Sequence, residues 1–214
     1  MMQALERIFY EKAGAMSETS SIYGRHLPEM ESVMNSILNS IGVLRRRMAE
    51  KTDSDPIDHC LARIKTDESM RAKCRLHNLP ETEESALNEI HDAIGIRIVC
   101  AFVSDVYTIL NYLKSLPDIS VVTEKDYIRH AKPNGYRSYH MIVRFKEKYY
   151  VEIQLRTISM DTWAALEHQL KYKKTVSGNE DLITSELKRC ADELASTDVS
   201  MQTIRDMIYE EREN

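Results

Sequence analysis

The chain has 214 residues, of which 43% are hydrophobic and 29% are charged, a composition typical of a globular domain. Its formal net charge of −5 argues against a generally basic protein that coats duplex nucleic acid. No apolar run is long enough to cross a bilayer, no signal-peptide pattern is found, and the four cysteines match neither a metal motif nor a disulfide framework. We therefore expect a cytoplasmic protein with free thiols and no membrane partner.

The first half of the chain predicts helices around two strands. From Pro28 to Lys51 apolar residues recur at helical spacing, and this helix has a basic end at 45–47. LARIK (61–65) is strand-like and leads into a short helix within 66–78, which Thr66 or Asp67 can cap. A further helix is predicted over 81–91, before the clearest strand, DAIGIRIVCAF (92–102).

The second half predicts a helix at 104–116 with Ser104 or Asp105 as its cap. Strands follow at 119–128, 139–145 and 149–157, the last two forming a hairpin. Helical patterns cover 159–174, then 180–196 and 199–214 after a turn at 177–179. This order predicts an α+β fold, in which helices flank a mixed β-sheet of about five strands.

The segment ARIKTDESMRAKCR concentrates cations around a hydroxyl. Lys65, Ser69 and Lys73 are each four residues apart, so they share one face if the segment is helical, and Arg63 precedes them. Such a set can hold a polyphosphate. The alternative is a solvated basic face.

The strand DAIGIRIV contains two unexpected charges. Asp92 stands at its mouth, and Arg97 lies between Ile96 and Ile98, where an unpaired charge would be costly. Gly95 leaves room for a ligand to approach the backbone. The alternative for Arg97 is a structural ion pair.

In YYVEIQLRT the period of two places Glu152, Gln154 and Arg156 on one face of a strand. An edge strand with a wet face is the alternative. If the strand is central, Asp92 and Glu152 project from neighbouring strands and suit Mg²⁺, which takes one or two carboxylates plus phosphate oxygens and water.

The stretch KPNGYRSYH (132–140) reads as a turn from Lys132 to Gly135, followed by Tyr136, Arg137 and His140. A surface turn with an aromatic strand start is the alternative. Together with the cations and carboxylates, these stacking and hydrogen-bonding groups indicate nucleotides and phosphoryl transfer.

Five runs in this order resemble the synthetase domain of the RelA/SpoT family, which makes the alarmones pppGpp and ppGpp. They are RIKTDESMRAK, DAIGIRIV, KDYIRHAKPNGYRSYH, VEIQLRT and WAALEHQLKYK, over about residues 60–174. The resemblance implies a stand-alone small alarmone synthetase, a GTP pyrophosphokinase with a nucleotidyltransferase-like fold. Residues 1–58 and 176–214 would add helices to a catalytic core at 59–175, without a hydrolase, TGS or ACT domain. The resemblance also implies a homotetramer, with an alarmone or RNA as candidate effectors.

The family's site residues carry over onto matching positions. For ATP, the resemblance implies that Arg63 and Arg97 sandwich the adenine while Lys65, Ser69 and Lys73 hold the phosphates. Asp92 would bind Mg²⁺, and Glu152 would act as general base or second metal ligand. For GDP or GTP, Tyr136 would stack on the guanine; the remaining residues implied around the acceptor are Lys132, Arg137, His140, Gln154, Arg156, His168 and Lys171. Asp161 is assigned no catalytic role.

The implied reaction is attack of the 3′-hydroxyl of GDP or GTP on the β-phosphorus of ATP, with release of AMP. Thr123 stands in TEKD (123–126) where long family members carry Arg or Glu, so the choice between acceptors stays open. Two other functions stay open as well. One is a toxin-like synthetase that pyrophosphorylates the 3′ end of tRNA, for which basic runs at 45–47 and 171–174 could dock the RNA; the other is a non-catalytic nucleotide- or RNA-binding regulator.

Overall fold

Strands rich in β-branched and aromatic residues form one mixed sheet. The structure is a computed structural model that describes residues 8–10, 21–52, 55–172 and 179–213. Its strands are β1 (Ile8–Tyr10), β2 (Ile57–Ile64), β3 (Ile94–Cys100), β4 (Ile119–Asp126), β5 (Tyr139–Phe145) and β6 (Tyr149–Thr157). Its α-helices are α1 (Leu27–Thr52), α2 (Asp67–Leu76), α3 (Val103–Ser115), α4 (Ile158–Tyr172) and α5 (Glu180–Glu213).

The sheet order is β1-β2-β3-β6-β5-β4. Two pairs are parallel, β1 with β2 and β3 with β6, and the other three are antiparallel. The α+β class and the five predicted strands are confirmed, and a three-residue edge strand, β1, is added. The strand β6 carrying the polar ladder is central, so the edge-strand alternative for 149–157 is excluded.

One face of the sheet is the hydrophobic core. Alternate residues of β3, β5 and β6 are buried there, namely Ile94, Ile96, Ile98, Met141, Val143, Val151, Ile153 and Leu155. Helix α1 contacts β2 and β3, and helix α3 contacts β3, β4 and β6. The buried stripe of α1 matches the predicted one: Met30, Val33, Met34, Ile37, Leu38, Ile41 and Leu44. The opposite face therefore remains available for polar side chains.

Three local predictions differ from the structure. The helix predicted over 81–91 is present only as a short π-helix, Ser85–Glu89, which ends because the buried Ile90 takes an extended backbone that leads towards β3. Helix α3 begins at Val103, and Asp105 lies inside its first turn, where its carboxylate accepts the Phe102 N–H at 3.2 Å.

The two helices predicted at the C-terminal end are one 34-residue helix, α5. The polar stretch around 196–200 contains neither Gly nor Pro. The Thr197 and Ser200 hydroxyls bond to carbonyls four residues earlier, at 3.0 Å each, so they do not interrupt the helix. The turn predicted at 177–179 lies almost entirely outside the described residues.

All four cysteines are free, and Cys60, Cys74 and Cys100 are buried. Among the described residues, no helix combines the length and apolarity that crossing a membrane requires.

Candidate active site

The polar face of the sheet aligns the predicted site residues in rows across the strands. One row runs across β2, β3 and β6 through Arg63, Gly95 and Glu152; the next runs across β3, β6 and β5 through Arg97, Gln154 and His140. A Cβ added at Gly95 would meet no heavy atom closer than 4.0 Å. The face above Gly95 is therefore open to a ligand, as the sequence predicts.

Asp92 lies just before β3 and is held by two lysines. Lys65 Nζ donates to Asp92 Oδ2 at 2.8 Å, and Lys73 Nζ donates to the same oxygen. Burial alone would raise the pKa of Asp92, but these hydrogen bonds and charges outweigh it and lower the pKa below its ordinary value. The predicted cationic cluster therefore forms, around a carboxylate.

The route by which Lys65 joins this cluster differs from the prediction. Thr66 is the N-cap of α2, and its hydroxyl oxygen accepts the Ser69 N–H at 3.3 Å. Lys65 thus precedes the helix, and only Ser69 and Lys73 share a helical face. The three residues converge because β2 leads directly into α2.

The carboxylates present fit a magnesium ion better than a metal that needs several protein ligands. Asp92 Oδ1 is buried and has no hydrogen-bond partner among the described residues. Those residues include no group of three or more His, Cys, Asp or Glu able to hold a metal. Mg²⁺ needs only one or two carboxylates and takes its other ligands from phosphates and water, so Asp92 with Glu152 is an adequate protein contribution.

A hydrogen-bonded ladder runs along β6. Gln154 Nε2 donates to Glu152 Oε2 at 3.0 Å, and Arg156 Nη2 donates to Gln154 Oε1 at 3.0 Å. The same Arg156 nitrogen donates to the Tyr136 hydroxyl at 2.7 Å. The ladder therefore connects Glu152 to the aromatic ring on the neighbouring loop.

Asp161 on α4 is the counter-ion that sequence reasoning missed. Its Oδ1 accepts from Arg156 Nη1 at 3.0 Å and lies 3.5 Å from Arg97 Nη1. Burial and the neighbouring Arg156 lower the pKa of Arg97. The Arg97 side chain is 38% exposed, more than its strand pattern predicts, because its face of the sheet is the open one. Arg97 therefore does form the ion pair that was the alternative to ligand binding, but part of its guanidinium group is still accessible.

Residues 132–138, here called the 132–138 loop, present Tyr136. Gly135 has a φ of +91°, and its N–H bonds to the Lys132 carbonyl at 2.8 Å, which confirms the predicted turn. Lys132 Nζ lies 5.0 Å and Arg156 Cζ 5.2 Å from the centre of the Tyr136 ring. The ring is therefore held among cations, which makes it a ready platform for a base.

The Tyr136 hydroxyl is also 2.8 Å from His140 Nε2. Burial, with repulsion from Arg156 and Lys132, lowers the pKa of His140 to about 4. Since Arg156 donates to the hydroxyl, the tyrosine proton is free to go to a neutral His140. Tyr127, which sequence reasoning also missed, makes edge contacts with both rings at 6.2 and 5.5 Å. Tyr127 lies within KDYIRHAKPNGYRSYH (125–140), one of the five family-like runs, and this position could have identified it as a site residue.

Arg137 is not brought to this cluster, and the positions of His168 and Lys171 are known only in part. Arg137 turns towards α5 and donates to Asp192 Oδ1 at 2.8 Å. His168 is exposed on α4. Lys171 lies in α4, but its side chain is outside the described part of the chain.

The comparisons with known proteins agree with this geometry. A family model described as a region found in RelA/SpoT proteins matches residues 62–177. GTP pyrophosphokinase YwaC of Bacillus subtilis is 41% identical over 148 residues, which are 64% of this chain and 69% of the relative. GTP pyrophosphokinase YjbM of the same organism is 36% identical over 166 residues, or 74% of this chain and 76% of the relative.

Solved structures agree as well. The small alarmone synthetase 1 of Bacillus subtilis bound to its product pppGpp has a TM-score of 0.73 and 29% identity, covering 87% of this chain and 97% of that one. Small alarmone synthetase 2 of the same organism has a TM-score of 0.72 and 33% identity, covering 86% and 97%. The matched region spans more than half of the chain and includes the lysine–aspartate cluster, the ladder and the 132–138 loop. The chain therefore belongs to the RelA/SpoT family.

Proposed function

We propose that the chain is a GTP pyrophosphokinase, which transfers the β,γ-pyrophosphate of ATP to the 3′-hydroxyl of GTP or GDP and releases AMP. The observation that carries this proposal is the position of Glu152. It lies on the central strand β6, between the cationic cluster of β2, β3 and α2 and the Tyr136 platform next to β5. The names of YwaC and YjbM and the pppGpp bound to small alarmone synthetase 1 support the same reaction.

The donor nucleotide would bind over β2 and β3. We assign the adenine to the guanidinium planes of Arg63 and Arg97, and the phosphates to Lys65, Ser69 and Lys73. Both lysines pair with Asp92. Phosphate oxygens offer the lysines an alternative partner, and Asp92 would then be available to a cation. Small alarmone synthetase 1 of Bacillus subtilis, whose structure bound to AMPCPP has a TM-score of 0.68 and 27% identity, supports this donor site.

The cation would be Mg²⁺, held by Asp92 and Glu152. When bound, it would offset charge that spreads over the phosphate oxygens in the transition state. The buried Asp92 Oδ1 without a hydrogen-bond partner supports this assignment.

The acceptor nucleotide would bind at the 132–138 loop. Its guanine would stack on Tyr136, with Lys132, His140 and Arg156 around it. Neutral His140 adds no positive charge there at physiological pH. We expect the stacking to account for a large share of acceptor affinity, because base–aromatic stacking is typically worth about 1–3 kcal/mol.

Glu152 would be the general base. A ribose hydroxyl is a poor nucleophile at neutral pH, so a carboxylate within hydrogen-bond reach accelerates its attack. The 3′-hydroxyl proton passes to the Glu152 carboxylate while the oxygen forms a bond to the β-phosphorus. The bond from that phosphorus to the α,β-bridging oxygen breaks, and AMP leaves with the bonding electrons. Gln154 would hold Glu152 in orientation by its 3.0 Å hydrogen bond.

We further propose that the protein is a cytoplasmic homotetramer. Free thiols support a reducing cytoplasm, and apolar residues exposed on α5, including Val199, Met201 and Met207, support assembly into a homotetramer. His168 and Lys171 remain predicted phosphate ligands, and an alarmone or RNA remains a candidate effector. Transfer to tRNA is the less favoured function because the net charge is −5 and the similar curated proteins are named GTP pyrophosphokinases.

A chromatographic product assay tests the proposal. Purified protein with ATP and magnesium is incubated in parallel with GDP, GTP, GMP or tRNA. We expect AMP and a 3′-pyrophosphorylated guanosine nucleotide in the GDP and GTP arms. Glu152→Gln should lower kcat by about 10²–10⁴-fold, with ATP binding preserved. A folded protein that makes no product, or that modifies only tRNA, would contradict the proposal.

A further inference from the structure

The 132–138 loop does not stand alone; it rests on helix α5. A Cβ added at Gly135 would lie 2.6 Å from Ala191 Cβ and 3.0 Å from Lys188 Cα. The loop backbone is thus in close contact with the helix at the residue before Tyr136. The turn that carries the ring therefore packs directly on α5.

The charged contact is made by the residue after Tyr136. Arg137 Nη2 donates to Asp192 Oδ1 at 2.8 Å, and Arg137 Nη1 donates to the Gly135 carbonyl at 3.1 Å. The Arg137 side chain is only 18% exposed. One guanidinium therefore ties the turn to itself and to α5, and Tyr136 is flanked by two anchored residues.

Helix α5 is in turn fixed to the rest of the fold, so that it can act as a support. The Trp163 indole N–H on α4 donates to the Leu187 carbonyl at 2.9 Å. The Thr157 hydroxyl at the end of β6 donates to Asp198 Oδ2 at 2.5 Å. These contacts are made one turn or two from Asp192, on either side of it along the helix.

We propose that Asp192 is a positioning residue for the acceptor nucleotide: through Arg137 it holds the 132–138 loop in the conformation in which Tyr136 can stack on guanine. This inference rests on the proposed function. It also reassigns Arg137, which the sequence resemblance places next to the acceptor, from a ligand of the nucleotide to a brace of the loop. Affinity for the acceptor nucleotide then depends on α5, a helix that lies outside the β-sheet on which the reaction takes place.

The test measures acceptor and donor separately. In Asp192→Ala, Arg137 loses its partner on α5, and we expect the KM for GDP and the Kd for GDP measured by calorimetry without ATP to rise about fivefold, near the upper limit for a partly exposed ion pair. The KM for ATP, kcat and the Tm should stay near those of the wild type. Alanine is a better helix former than aspartate, so α5 itself is not weakened. Asp192→Asn keeps one accepting oxygen and should give a smaller rise; it provides the same test if the alanine variant is poorly produced.

Two controls lie on the same helix. Glu193→Gln removes a carboxylate that pairs with Arg189 and not with the loop, and Lys188→Gln removes the other partner of Asp192. Both should leave the GDP parameters unchanged. An exchange of the two charges, Arg137→Asp with Asp192→Arg, should recover part of the affinity that either change alone removes.

A double-mutant cycle separates a brace from a ligand. If Arg137 acts through Asp192, the effects of Arg137→Ala and Asp192→Ala on GDP affinity are not additive. An unchanged GDP KM and Kd in Asp192→Ala, or fully additive effects, would overturn the inference while leaving wild-type synthesis intact. A wild-type protein that makes no alarmone would instead overturn the proposed function.

Discussion

His140 should remain uncharged at pH values where an ordinary histidine is protonated. It is partly buried on β5, next to Tyr136, among Arg156, Lys132, Lys125 and Arg97, and burial with these positive charges lowers its pKa from 6.5 to about 4. His140→Gln is the informative change, because glutamine can still accept the Tyr136 hydroxyl proton but does not titrate.

The sign and size of the effect follow from linkage. The unfolded chain takes up the proton near pH 6.5, whereas the folded chain takes it up only near pH 4. The stability due to neutral His140 is therefore present above pH 6.5 and is lost as the pH falls towards 4. At about 1.4 kcal/mol for each pKa unit the full loss is about 3 kcal/mol, and between pH 7 and pH 5 it is about 2 kcal/mol.

Urea unfolding at pH 7 and pH 5, at one protein concentration, measures the pH-dependent stability that His140 contributes. The free energy of unfolding of the wild type should fall by about 2 kcal/mol more than that of His140→Gln between the two pH values. His77→Gln, at an exposed position after α2, is the control for loss of an imidazole. An equal fall in the wild type and His140→Gln would refute the burial and charge argument for this site.

Three further changes test other parts of the structure. Tyr136→Ala should raise the KM for GDP or GTP about tenfold or more and the KM for ATP little, in steady-state assays with each substrate varied; equal effects on both would mean that the ring serves the fold. Gly135→Ala should cost about 1–3 kcal/mol in urea unfolding and raise the acceptor KM, because φ is +91° and the new Cβ meets Ala191 and the Lys188 backbone; an unchanged free energy of unfolding would contradict the strain. Arg205→Met should remove about 3 kcal/mol at pH 7, since it leaves Asp105, which is 7% exposed, without its counter-ion. Burial already raises the pKa of Asp105, so acidification should return part of that stability, and a loss that grows at pH 5 would contradict this.

Local patterns predicted most of the elements. The period-two alternation of β6 and the helical stripe of α1 were sufficient because each follows directly from which side chains face the core. The Asn-Gly turn before Tyr136 was predictable because few residues adopt positive φ. The patterns were insufficient at 196–200: Ser and Thr there suggest a helix break, yet α5 continues because the Thr197 and Ser200 hydroxyls bond to carbonyls of the preceding turn.

The sequence by itself determined the residue types of the site, since cations, carboxylates and an aromatic turn occur in five ordered runs. What only the tertiary structure decided is which of these groups meet. Asp92 is held by Lys65 and Lys73 because β2 runs directly into α2 beside the start of β3, and Asp161 became the counter-ion of Arg156 because α4 begins immediately after β6. Arg137 pairs with Asp192 on α5, and the sequence could not predict this contact because the two residues are 55 apart in the chain and no local pattern links them.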